Sequence, residues 1–286
     1  MGDVLRSLFG RPAPYRRRPP LVLLNGLAEQ AETWFRNVDA WRRHFDVHQP
    51  NILAYDGPAL HRRIAEGLPI SVDYLVEQVH TYLETSVQRP PYHLAGSSTG
   101  GKVAIEYAAR YPEAVSRLVL FGPSGLGESE ALPVVQGVRR SDAKTIVDSV
   151  FHDARQVDAG LVRYYQVRLA DRRWRIGLLR TIRGTLGHSV RHRLALVTQP
   201  TLVVMGREDR IVDPAQARAA AAALPHGRFL LIPGCGHAPH MEKARLINPL
   251  VTAFLTEPAP AAPGPAASRR DGDPEGRPRL LRSGGR

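Results

Sequence analysis

A single cysteine, Cys235, stands in this chain of 286 residues, so no disulfide can form within it. Disulfides persist in oxidising surroundings, and their exclusion fits a reducing compartment. Long apolar runs are also missing. None reaches the ~18 residues needed to cross a bilayer, and the N-terminal stretch holds no apolar segment of secretory type. The expectation is a cytoplasmic protein without a membrane span. Lysine is scarce: three of the 39 basic residues are lysines, so the positive charge is almost all arginine. No internal repeat is present, and no nucleic-acid reading module stands out.

What the chain does have is length and a local charge excess. At 286 residues it can bury a full core, as one domain with an insertion or as two small ones. The net charge of +12 is unevenly spread. Residues 1–20 carry +4, residues 139–193 carry +8 and residues 257–286 carry +2, so the remainder sums to −2. The basic excess therefore belongs to the ends and one middle segment. Without a reading module it does not make nucleic acid an expected partner, and arginine-rich base composition accounts for the tails.

The chain is organised around Gly96-Ser97-Ser98-Thr99-Gly100, a G-x-S-x-G pattern. A strand-like run precedes it, and Val103, Ala104, Tyr107 and Ala108 follow at helical spacing. In that context the pattern reads as a sharp strand–turn–helix that exposes Ser98. The glycines are needed because side chains two residues either side would collide in so tight a turn. The Thr99 N–H then lies at a helix N-terminus, where negative charge is favoured.

Other short apolar runs alternate with helical patterns. Residues 21–24, 47–53, 115–121, 201–205 and 229–232 read as strands. Ser71 is placed to cap a helix, as is Asp213 with Pro214 behind it. Trp34, Val38, Trp41 and Phe45 have near-helical spacing, and a terminal helix is expected from about residue 241 to 255. This alternation predicts an α/β fold: a mostly parallel sheet with helices on both faces. Residues 126–195 are arginine-rich and helical in pattern, without a strand signal. The resulting division is an irregular arm at 1–20 with a short helix at 4–9, a core at 21–125 and 196–256, a helical insertion at 126–195, and a disordered tail at 257–286.

Sites in such sheets lie beyond the carboxyl ends of the strands. Ser98, Asp209 and His237 each follow a predicted strand, so a hydroxyl, a carboxylate and an imidazole arrive at one edge. Serine needs a neighbouring base to become nucleophilic, and imidazole titrates near neutrality. Asp209 would orient that imidazole. Asp213 competes with it but is accounted for by capping, and His240 is the nearest competitor of His237.

With these residues in place the chain resembles the α/β-hydrolase superfamily over roughly residues 20–256. The order Ser–Asp–His matches that family. Leu23-Leu24-Asn25-Gly26-Leu27 resembles its oxyanion-loop strand, Gly206 to Pro214 its acid loop, and Gly234-Cys235-Gly236-His237 its histidine loop. The resemblance implies Ser98 as nucleophile, Asp209 as acid, His237 as base, and the backbone N–H groups of Leu27 and Thr99 as the oxyanion hole. It implies no cofactor and no metal, and a helical lid at 126–195. Asn25 stands where the family usually has histidine, and Asp56-Gly57-Pro58-Ala59-Leu60-His61 replaces the usual pocket-framing stretch. In the meta-cleavage C–C hydrolase branch a lid arginine binds the substrate carboxylate. Arg172 or Arg173 is similar in position, residues 121–125 also resemble that branch, and Asn25, Arg172, Arg173 and Trp174 are the candidate substrate-binding residues. The expected partner is a small molecule, anionic if such an arginine faces the pocket. The expected activity is hydrolysis of an ester, lactone, thioester or activated C–C bond. The alternative is a hydrolase-fold binding protein with little catalysis.

Overall fold

The computed structural model describes residues 18–29, 31–127, 133–153, 157 and 159–258. Residues 1–17 of the N-terminal arm, with its expected helix, and the tail beyond residue 258 lie outside them, and Pro20 at the end of the arm already belongs to the first strand. Six strands pair in the order β2-β1-β3-β4-β5-β6, and every pairing is parallel. They are β1 (Pro20–Leu24), β2 (Asp46–His48), β3 (Tyr92–Ser97), β4 (Val115–Phe121), β5 (Thr201–Gly206) and β6 (Gly227–Ile232). The helices are α1 (Val38–Trp41), α2 (Pro58–Ala65), α3 (Val72–Tyr82), α4 (Thr99–Arg110), α5 (Pro133–Arg140), α6 (Ala143–Val150), α7 (Ala159–Ala170), α8 (Arg172–Thr185), α9 (Pro214–Ala221), α10 (Pro239–Glu242) and α11 (Ala244–Thr256).

The central strands are buried at nearly every position because both sheet faces are covered. Alternate residues serve alternate faces. Val22, Leu24, Leu94, Leu118, Leu120 and Val203 join one core with residues of α3, α4 and α6 to α9. Leu21, Leu23, Ala95, Val119, Phe121 and Val204 join the other, with Trp34, Trp41, Phe45 and the apolar side of α11. Each fully buried Leu or Val contributes roughly 1.5–3 kcal/mol.

Local signals place several ends. Ser71 accepts a hydrogen bond from the Tyr74 N–H at 3.2 Å and caps α3. Asp213 accepts from the Ala215 N–H at 2.8 Å, with Pro214 opening α9. Other expectations are corrected. The second strand has three residues rather than seven. The aromatic-spaced segment is a 3-10 turn, Ala31–Trp34, followed by the single turn of α1, although Trp34, Val38, Trp41 and Phe45 are all buried. Apolar spacing reports which side chains go inside, and a chain bent around a core satisfies it as well as a straight helix does. The expected terminal helix is two helices, divided at Lys243.

Between β4 and β5 the described residues are helical: α5, α6, α7, α8 and a 3-10 stretch, Arg191–Leu196. The α8 helix is two-sided. Trp174, Leu178, Thr181, Ile182 and Thr185 are buried, while Arg172, Arg173, Arg180 and Arg183 lie on the exposed side. Lys102 of α4 donates to the Thr185 carbonyl at 3.1 Å, and Glu106 of α4 pairs with His188 at 2.8 Å. The insertion is thus tied to the core by buried polar contacts at its C-terminal end.

The glycines of the central turn answer to space. A Cβ on Gly96 would sit 2.5 Å from the Gly100 carbonyl oxygen, and one on Gly100 would overlap the Leu24 carbonyl. Backbone cannot yield there as a side-chain tip would. Gly100→Ala is therefore expected to cost at least the ~1–3 kcal/mol of an overpacked core. For a domain of this size that lowers Tm by roughly 2–4 °C per kcal/mol. A thermal melt by circular dichroism checks it.

Candidate active site

Ser98 joins β3 to α4 with φ 48° and ψ −115°, a positive φ in a residue other than glycine. Such a conformation costs of order 1–3 kcal/mol and persists only where its surroundings hold it. The Ser98 N–H donates to the Phe121 carbonyl at 2.9 Å. Its own carbonyl accepts from the Lys102 and Ser124 N–H groups, both at 3.1 Å. The turn is thereby fastened to the end of β4. One residue on, Gly122 has φ 48°, and a Cβ there would come 3.0 Å from the His237 Nδ1. The Phe121–Gly122 backbone thus touches both the serine turn and the imidazole.

His237 Nδ1 lies 2.8 Å from Asp209 Oδ2, and both residues are buried. A carboxylate only accepts, so Nδ1 carries the proton and Nε2 is the basic nitrogen. The other oxygen, Oδ1, accepts from the Ile211 and Val212 N–H groups at 2.8 and 3.0 Å. Asp209 is therefore clamped between backbone and imidazole, whereas Asp213 is exposed at the start of α9.

Two further acids hold these loops together. Glu208 accepts from the Cys235 N–H at 2.9 Å, while its own N–H donates to the Cys235 carbonyl at 3.0 Å. Glu242 accepts from Gly236 at 2.7 Å and, from the end of α6, from His152 and Asp153 at 3.2 and 3.1 Å. The His237 N–H donates to the Val150 carbonyl at 2.7 Å. The histidine loop is fixed on one side to the core and on the other to the helical insertion.

The loop after β1 is closed on itself. Asn25 Nδ2 donates to the Glu29 carbonyl at 2.9 Å and to the Gly26 carbonyl at 3.3 Å. Glu29 is buried, and its Oε2 accepts the Gly26 N–H at 2.8 Å. Burial holds the Glu29 carboxyl above its ordinary pKa, while the Gly26 hydrogen bond and the charge of His237 pull it down. Gly26 lies against the Ser98 turn: a Cβ on it would be 3.0 Å from the Ser98 Cβ. Ala28 has φ 61°, and its N–H donates to the Tyr55 hydroxyl at 3.2 Å.

The remaining sequence candidates stand elsewhere. Arg172 and Arg173 are exposed on α8, and Arg173 Nε donates to the Asp56 carbonyl at 3.0 Å. Trp174 is buried and meets the Tyr55 ring edge-on at 5.4 Å. Glu29, Tyr55, Glu208 and Glu242 escaped the sequence reading. A buried glutamate five residues past the end of β1 has no local signature; only the absence of histidine at position 25 marks that loop as supported differently. Among the described residues no group of His, Cys, Asp and Glu side chains could hold a metal ion. No described helix is long and apolar enough to cross a membrane.

A parallel sheet delivering a strained serine and an Asp–His pair at its strand ends defines an α/β-hydrolase-type protein. The family model described as the alpha/beta hydrolase fold matches residues 19–244, and the chain belongs to that family. It is 25% identical over 272 residues to the human monoacylglycerol lipase ABHD6, covering 87% of this chain and 78% of that protein. It is 28% identical over 255 residues to a 2-hydroxy-6-oxononadienedioate/2-hydroxy-6-oxononatrienedioate hydrolase of Paraburkholderia phymatum, covering 82% and 86%. Its fold resembles the meta-cleavage product hydrolase of Pseudomonas fluorescens IP01, with a TM-score of 0.72, 20% identity, and coverage of 84% and 91%. These relatives are hydrolases.

His240 is fully buried directly beyond the site. Its ring lies 4.3 Å from Trp34 and 5.3 Å from Phe121, and neither ring nitrogen has a hydrogen-bond partner among the described residues. Burial, helped by the charge of His237, lowers its pKa to about 3. Burial, then Arg117, lowers that of His93 to about 4. Both pKa values fall on folding, so below about 6.5 the unfolded chain takes up protons that the folded one refuses. Stability is fully present above pH 6.5 and is lost as pH falls towards 4. His240→Phe keeps the ring contacts and removes one such group. Its Tm at pH 7 should equal or exceed that of wild type, and its urea midpoint should fall less between pH 7 and pH 5.

Proposed function

We propose that the chain is a cofactor-independent serine hydrolase in which Ser98, His237 and Asp209 act as nucleophile, base and acid. The observation that carries this is the 2.8 Å contact of His237 Nδ1 with Asp209, next to a serine held at φ 48°. In the first step Ser98 Oγ bonds to a carbonyl carbon as its proton passes to His237 Nε2, and the carbonyl π electrons move onto oxygen. Backbone N–H groups of Leu27 and Thr99 receive that oxyanion. The tetrahedral adduct collapses, the leaving group takes the proton from His237, and an acyl-enzyme remains. Water, losing its proton to His237, then releases the acid and restores Ser98. Asp209 keeps the imidazole in the reactive tautomer and stabilises its charged form.

The substrate class follows from what surrounds the histidine loop. A narrow crevice of about 10 Å³, room for a single water, is lined by Phe35, Phe151, Val157, Leu161 and Met241 together with Arg36, Asp153 and Glu242. Phe151 directly follows Val150, whose carbonyl holds the His237 N–H. An ester arm entering here would have to widen the crevice, and the mostly apolar side chains around it favour an apolar arm. The arginines of α8 are exposed or bonded elsewhere, Arg173 to the Asp56 carbonyl and Arg175 to the Ser141 hydroxyl, which favours such an ester over an anionic C–C substrate. The insertion carrying α5 to α8 would act as the lid.

Intact mass after fluorophosphonate treatment should show one adduct on wild type and none on Ser98→Ala. Ser98→Ala should also lower kcat on a p-nitrophenyl ester by about 10⁵–10⁶-fold with its melting temperature retained. Wild-type activity in that variant would end the proposal. Across p-nitrophenyl acetate, butyrate and octanoate, kcat/KM should rise with chain length at first, by up to 10–200-fold per well-fitted methylene. A preference for a carboxylate-bearing ester would instead point to an arginine in the pocket.

A further inference from the structure

We infer that Glu29 and Tyr55 are positioning residues that hold the loop after β1 as a preformed oxyanion hole, with Tyr55 carrying the contact between that loop and the helical insertion. The inference rests on the hydrolase reading above and assigns the support of its oxyanion site to two side chains.

Three successive amides are involved. The Gly26 N–H is taken by Glu29 Oε2 at 2.8 Å, and the Ala28 N–H by the Tyr55 hydroxyl at 3.2 Å. The Leu27 N–H lies between them and bonds to no acceptor among the described residues. With its neighbours tied by side chains, the peptide carrying that donor cannot rotate to satisfy itself on a nearby carbonyl. Ala28 at φ 61° would not hold without such ties. Asn25 closes the same loop from the other side through the Glu29 carbonyl, and the Ser97 hydroxyl lies 3.4 Å from Glu29 Oε1. Glu29 is therefore anchored to both the oxyanion loop and the strand of the nucleophile. An unpaired buried carboxylate would be too costly to keep here, and each of its oxygens has a partner.

Tyr55 reaches the insertion. Its ring is met edge-on by Trp174 of α8 at 5.4 Å, and Gly177, one turn later, packs on the Tyr55 backbone so closely that a Cβ would overlap its carbonyl. His61 Nε2 also contacts both the Tyr55 carbonyl at 2.9 Å and the Arg173 carbonyl at 3.0 Å. A movement of α8 away from the core would pull on Tyr55, whose hydroxyl is the acceptor for Ala28. The donor geometry then depends on the insertion being seated.

Tyr55→Phe is the decisive variant, because it deletes one hydroxyl and keeps the ring against Trp174. On p-nitrophenyl butyrate, kcat should fall by about 10–100-fold with KM within about twofold of wild type, since a misaimed donor is missed only once charge develops. A boronic acid, whose serine adduct places an oxygen in the hole, should lose affinity by the same factor. Deuterium exchange of the peptide containing Ala28 should quicken, and Tm should stay within a few degrees. Glu29→Met, which removes both acceptor oxygens at similar volume, should show the same split, and Glu29→Asp should recover less than half of the loss because its shorter side chain falls short of Gly26. A loss in kcat with unchanged boronate affinity, a loss carried by KM, or unchanged exchange at Ala28 would each overturn the inference. The hydrolase reading fails separately, if wild type neither takes up fluorophosphonate on Ser98 nor turns over ester. The exchange experiment still tests the loop contacts in that case.

Discussion

The constraint on which the site depends is the collision-free turn at Ser98. Three backbone segments meet there: the end of β1, the turn between β3 and α4, and the end of β4. Gly100 lies on the Leu24 carbonyl and Gly122 on the His237 carbonyl, backbone on backbone, while Gly26 meets the Ser98 Cβ. A methyl group at any of these contacts would separate elements that must stay together. The positive φ of Ser98 is therefore not an isolated strain. It is held by hydrogen bonds to Phe121, Lys102 and Ser124, all of them backbone groups of neighbouring elements. Side chains could adapt; backbone pressed on backbone cannot, so the serine is delivered in one orientation.

Around that turn, carboxylates do the fastening. Glu29 takes the Gly26 N–H, Asp209 takes Ile211 and Val212, Glu208 takes Cys235, and Glu242 takes Gly236, His152 and Asp153. Loops at the carboxyl ends of parallel strands carry backbone donors that no ladder satisfies. Hydrogen bonds to a charged acceptor are roughly twice as strong as neutral ones. An acidic side chain is thus an economical way to hold such a loop, and the same device serves three separate loops here. Asp209 differs in that one of its oxygens is left for His237.

The arrangement also explains why the basic charge of the middle segment is not a guide to the site. On α8 the buried side is made of Trp174, Leu178, Thr181, Ile182 and Thr185, and the arginines occupy the remainder of the circumference. What the helix contributes inward is an aromatic edge against Tyr55. The polar residues that gather around the Ser98 turn come instead from loops whose sequences look unremarkable.

Much of this was legible in the amino-acid order. Apolar runs, the glycine spacing around Ser98, and the caps at Ser71 and Asp213 are local, and local sterics and hydrogen bonding read them directly. Those signals determined the sheet class, the serine turn, and the delivery of Ser98, Asp209 and His237 to strand ends. They could not determine the break between α10 and α11 or the shortness of β2, because apolar spacing records burial and not continuity. Nor could they show that Glu29 turns back onto Gly26, that Tyr55 reaches Ala28 from 27 residues away, or that Arg172 and Arg173 lie on the outer side of α8. Those contacts arise only when segments distant in the chain are packed against one another. Burial then fixes which polar group each donor finds, so the supports of the site were decided by tertiary structure alone.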